Sequence, residues 1–104
     1  MKLDKTKVPE YCAHLIPLAE RWGTGDDIDR ENLISGANPE ELLVLVNAIM
    51  ALPDDGMFEW LAGPESFSPT PTDEYLVFTC MTMAYDSARV RLENLANTNK
   101  SDRG

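Results

Sequence analysis

The chain has 104 residues, 43% of them apolar and 26% charged, a composition that suits one folded domain with one core and excludes a chain disordered throughout. Its formal charge is −9, and the imbalance is concentrated: between Pro9 and Ala88 fifteen acidic residues stand against two basic ones, Arg21 and Arg30. A field of that sign disfavours nucleic acid and anionic lipid and favours a basic protein partner.

The opening MKLDKTKVPE has the lysines of a signal peptide but carries Asp4 and no apolar run, so conventional secretion is not expected. Residues 1–8 read as a flexible segment, and residues 9–95 as a single helical domain. Tyr11, Leu15, Leu18 and Trp22 are spaced four, three and four apart, which predicts a first helix from Pro9 to Trp22 with that face inward. Gly23 ends it. Pro17 lies within, where it removes a donor and biases Ile16 away from helical angles, so a kink or a break is expected there.

A second, short helix begins at Asp26 or Asp27, either of which can cap the first turn, and finishes at Gly36. Ile28, Leu33 and Ile34 give it a narrow apolar footing. The third has Asn38 as N-cap, Pro39 at its first position and Glu40 and Glu41 against the dipole, then an apolar run stopped by Pro53. A fourth, of about two turns, runs from Asp54 or Asp55 to Ala62, with Met57, Phe58, Trp60 and Leu61 supplying contacts. The Pro-rich stretch over 63–72 reads as an ordered or semi-extended connector that cannot be helical. A last helix starts at Thr70 or Thr72 and runs to about Leu95. Its first part, YLVFTCMTMAY, carries no charge and predicts burial almost all round. Residues 96–104 read as a disordered tail. No hairpin signal interrupts this series, so the predicted class is all-α: a single-domain bundle of about five helices with a long, apolar C-terminal helix at its centre.

The uncharged runs Leu42 to Pro53 and Tyr75 to Tyr85 are too short for the roughly 20 residues a membrane span needs. Two cysteines, Cys12 and Cys80, are too few for a disulfide scaffold and sit among apolar residues, which fits a reducing, cytoplasmic setting.

Chemistry has few footholds. His14 is the only histidine, and Cys12, two residues away, points to a different side of a helix, so no local nucleophile and base can pair. Asp27, Asp29 and Glu31 alternate as in the start of an EF-hand loop, but the sixth position is Asn32 instead of Gly and the twelfth Asn38 instead of Glu. Gly23 and Gly25 lack the third glycine of a dinucleotide fingerprint and the lysine of a P-loop. Acidic pairs at Asp26 and Asp27, Glu40 and Glu41, Asp54 and Asp55, and Asp73 and Glu74 all fall at predicted helix starts, where the dipole favours them.

Capping explains where those acids sit. It does not explain the missing lysines, since an ordinary helical surface intersperses both signs. The reading that follows is a small, acidic, non-catalytic protein that binds a basic protein partner as an adaptor, regulator or immunity-type inhibitor. It needs no cofactor. The candidate surface combines Asp26, Asp27, Asp29, Glu31, Asp54, Asp55 and Glu59 with Trp60 or Phe67 as aromatic anchors. Two alternatives stand beside it: a carboxylate- or divalent-metal-dependent enzyme using Asp27, Asp29 and Glu31, and a structural homo-oligomer joined through the apolar surface of the last helix. The assembly expected is a monomer or a small homo-oligomer.

Overall fold

Pro17 divides the first predicted helix in two. The structure, a computed structural model, describes residues 3–23, 27–52 and 56–103, the side chains of residues 27 and 98–103 excepted. Glu10–Leu15 forms a 3-10 helix, and helix α1 spans Ile16–Trp22 with Pro17 in its first turn, where a missing N–H has no intrahelical acceptor to lose. The tighter winding, three residues per turn, changes which side chains face inward. Cys12 and Leu15 are buried, while Tyr11, predicted on the inner face, is 41% exposed. Ile16, Ala19 and Trp22 then carry the buried face to the end of α1, with Leu18 packed at its edge.

Gly23 stops α1 by donating its N–H to the Ala19 carbonyl at 2.7 Å. Its φ is −96°, so left-handed backbone is not what requires a glycine here. Space is. A Cβ at this position would press on the Val77 carbonyl oxygen, and would lie 2.6 Å from the Ala19 carbonyl oxygen and 2.7 Å from Val77 Cγ1.

Helix α2 spans Asp27–Gly36 and α3 spans Pro39–Met50. Asn38 stands at the N-cap of α3, and the Leu42 N–H bonds its backbone carbonyl, although its side chain makes no capping bond. The apolar footing of α2 is narrower than the sequence implies: Ile34 is buried and Leu33 packs at the rim, but Ile28 is 70% exposed. In α3, Leu42, Leu45, Val46 and Ile49 face the core, and the helix closes at Met50 with a turn over Ala51 and Leu52. Pro53, predicted to stop it, lies outside the described residues.

Helix α4 is Gly56–Leu61. Its predicted capping acids, Asp54 and Asp55, also lie outside the described residues. The connector contains a turn of helix, contrary to the sequence reading: Pro64–Phe67 is 3-10, and a proline at its first position costs it no hydrogen bond. Helix α5 then runs over Asp73–Arg103, past the predicted end near Leu95 and through the stretch read as a disordered tail.

The result is an all-α domain of five helices with no strand among the described residues. Helices α1, α2, α3 and α4 all pack against α5, whose thirty-one residues span about 46 Å, close to the 50 Å long axis of the molecule. Its inner face, Val77, Phe78, Met81, Ala84, Tyr85 and Ala88, is buried. The expectation that α5 is apolar and buried all round does not hold: Leu76, Met83 and Val90 are exposed, because the other helices cover one side of it and leave the other open. No helix of the described residues is long and apolar enough to cross a membrane.

Residues 3–8, within the segment read as flexible, are packed in part. Leu3 and Val8 are buried, and the Asp4 N–H donates to Oε2 of the buried Glu74 at 3.0 Å. The Asp4 side chain caps a 3-10 turn over Lys5–Lys7, accepting from the Thr6 N–H at 2.9 Å and the Thr6 hydroxyl at 2.7 Å. Those two bonds, with a smaller contribution from Lys7, hold its carboxyl below the usual range.

Because no flexible side-chain end can move aside for a carbonyl oxygen, Gly23→Ala is expected to lower stability by about 1–3 kcal/mol. Urea denaturation of the purified variant measures it, and an unchanged midpoint would refute the close approach of α1 to α5.

Candidate partner-binding surface

The acidic candidates divide by what the fold does with them. Asp29 and Glu31 are exposed on α2, and Glu59 is exposed on α4. Asp27 begins α2, but its side chain, like Asp26, Asp54 and Asp55, lies outside the described residues. Three further carboxylates are engaged within the fold. Glu41 holds Arg21 at 2.7 Å, Glu65 accepts the Thr72 N–H at 2.6 Å, and Glu74 accepts the Asp4 N–H.

The two aromatic candidates part company. Trp60 is partly buried, with its ring edge-on to Phe78 at 5.3 Å and to Tyr75 at 6.4 Å, an arrangement that spends its area on α5. It is a core-rim residue, not a free anchor. Phe67 is 86% exposed at the end of the connector's 3-10 turn. The turn is braced: the Ser66 N–H and hydroxyl both donate to the Gly63 carbonyl, at 3.0 and 2.7 Å, and Glu65 ties it forward to Thr72. An ordered turn therefore holds a large apolar ring in water.

Two other exposed aromatics escape the sequence reading. Tyr11, rotated outward by the 3-10 winding, donates its hydroxyl to the Gly56 carbonyl at 2.9 Å. Desolvation, and then the neighbouring Cys12 and Glu59, raise the pKa of its phenol. Phe58 stands exposed one residue before Glu59. The 45-residue separation between Tyr11 and Gly56 leaves no trace in a linear pattern.

A groove of about 460 Å³ lies between α2 and α5. Glu31 and Asp86 line it together with Ser87, Val90 and Arg91. Asp86 carries no signal in the sequence, being a lone acid in the middle of a helix. Arg91 is the one basic group there, and its buried Nε has no acceptor among the described residues. The groove is thus of mixed charge, in contrast to the chain as a whole.

No arrangement of a nucleophile and a base is assembled from the described residues. His14 is exposed beside a shallow hollow shared with Lys5 and Glu20. Among the described residues no three His, Cys, Asp or Glu side chains are grouped to hold a metal ion, and the set Asp27, Asp29 and Glu31 is not fully within them. Both cysteines are free; Cys12 is buried and Cys80 half-buried. Burial pushes the Cys12 thiol up to about 11, which keeps it protonated and inert at neutral pH. No protein-family model matches the chain, and neither does any curated protein or solved structure.

The two thiols are expected to separate cleanly. A soluble thiol reagent at neutral pH modifies Cys80 in the folded protein and leaves Cys12 untouched until urea unfolds the chain, which mass spectrometry of the labelled peptides reads directly. The Cys12 thiol rises from 9.0 to about 11 on folding, so the unfolded chain loses this proton first. Stability from this group is full below pH 9 and declines between pH 9 and 11. In Cys12→Ala that part of the alkaline decline is absent from denaturation curves taken across the interval.

Proposed function

We propose that this chain is a non-catalytic protein-binding module, an adaptor, regulator or inhibitor, which docks a basic protein partner on its acidic surface. Phe67 carries the reading. A phenylalanine gains up to about 3 kcal/mol from burial, yet the connector is built to hold this ring outward, braced by Ser66 and Glu65, and a rigid aromatic that orders itself before contact is the kind of residue that dominates interface energetics. Between Pro9 and Ala88 the chain carries fifteen acidic residues and no lysine, a negative field that steers a positive partner and rejects a negative one. The anchoring residues are Phe67, with Phe58 and Tyr11 as further apolar contacts, and the steering residues are Glu59, Asp29 and Glu31, joined by Asp26, Asp27, Asp54 and Asp55. The partner presents a basic surface with a pocket for one aromatic ring. A reducing, cytoplasmic setting fits two unpaired thiols.

The test is affinity capture from the source lysate by wild type and by Phe67→Ala, at low and at high salt. Supporting this reading, a captured basic protein binds Phe67→Ala about 30-fold more weakly, the loss of one anchor residue. Its association rate to wild type also falls steeply with ionic strength. Binding indifferent to both the substitution and the salt would refute it.

A further inference from the structure

The outer face of α5 is not a scatter of exposed apolar groups. Leu76, Cys80, Met83, Ser87, Val90 and Asn94 follow one another at intervals of four, three, four, three and four residues, the seven-residue seam of two helices packed side by side. Leu76, Met83 and Val90 are 46%, 47% and 56% exposed, and Cys80 is half-buried. The seam covers about 27 Å of helix, opposite the face that holds the core. Its C-terminal half forms a wall of the groove against α2, where Ser87, Val90 and Asn94 lie beside Ile34.

We infer that this seam is an interface with a second copy of the chain, in which the two α5 helices pair antiparallel. Charge selects the copy and its direction. Helix α5 begins with Asp73 and Glu74 and carries Arg89, Arg91, Lys100 and Arg103 toward its end. Asp73 and Arg91 are eighteen residues apart, five full turns, and so stand on the same flank of the seam. A two-fold axis normal to an antiparallel pair keeps each flank on its own side, so Asp73 of one protomer comes level with the Arg91 guanidinium of the other. With that register the dyad falls between Cys80 and Met83, and Cys80 packs on the opposite Met83 near the centre. The helix dipoles are then opposed, which is favourable. A parallel pairing gains a contact between Asp86 and Arg91 across the seam, but it aligns the dipoles.

The area is modest. A seam of this length buries on the order of 1,000 Å² over both protomers, the lower end for a specific interface, so the dimer dissociates in the micromolar range. It does not rest on the proposed function, although Glu31, a steering residue of that reading, lines the same groove.

Sedimentation equilibrium of the wild-type chain from about 10 to about 300 µM is expected to show monomer passing to dimer by mass action. Met83→Glu, at a position open to water in the monomer, is expected to weaken the dimer at least about tenfold with its helical circular dichroism unchanged. Spin labels on Asn94→Cys in a Cys80→Ser background report direction: twenty-five residues of helix separate the two labels axially in the antiparallel pair, about 37 Å, whereas a parallel pair brings them side by side. A wild-type monomer at the highest concentration, a dimer indifferent to Met83→Glu, or adjacent labels would each overturn the inference.

Discussion

The other four α-helices of this domain share one packing partner, α5. Val77, Phe78, Met81, Ala84, Tyr85 and Ala88 present a continuous buried strip, and α1, α2, α3 and α4 all pack against this helix. The depth of the packing is set where backbone meets backbone. Gly23 admits the Val77 carbonyl, so the end of α1 settles against α5, and Trp22, the largest fully buried side chain, is carried into the centre with it. Arg21, next to it, lies 5.0 Å over the indole face and bonds Glu41 on α3. One close approach thereby positions α1 and leads, through its last turn, to α3.

Local chemistry explains how much of this could be read beforehand. Proline and glycine act on their own backbone, so Gly23, Gly36, Asn38 with Pro39, and Gly63 with Pro64 mark boundaries that the structure keeps. Faces are another matter. The predicted face of the first helix assumes 3.6 residues per turn, and a 3-10 winding ahead of Pro17 replaces Tyr11 by Cys12 in the core. The uncharged run in α5 reads as buried all round, yet apolarity records what a surface could be covered by, and the chain has too few helices to cover both sides. Contacts between distant residues leave least trace: Trp60 committed to Phe78, Tyr11 reaching Gly56, and Glu31 sharing a groove with Asp86 are all products of topology.

The carboxylates show the same division between local and global causes. Helix starts account for Glu40, Glu41 and Asp73 through the dipole, and tertiary structure recruits Glu41, Glu65 and Glu74 as acceptors for an arginine and two backbone amides. Glu31 on α2 and Glu59 on α4 stand exposed. Exposed apolar side chains are likewise found in more than one place, Phe67 in the connector and Leu76, Met83 and Val90 along α5.

The bond from Asp4 to Glu74 spans seventy residues, and it ties the first described turn of the chain to the first turn of its supporting helix. On the ribosome that order has a cost. Synthesis proceeds at several residues per second from the N-terminus, so four amphipathic helices emerge with Leu15, Trp22, Leu42 and Leu45 unburied before the wall they rest on exists. The packing of these helices therefore follows synthesis of the last third of the chain, which supplies α5.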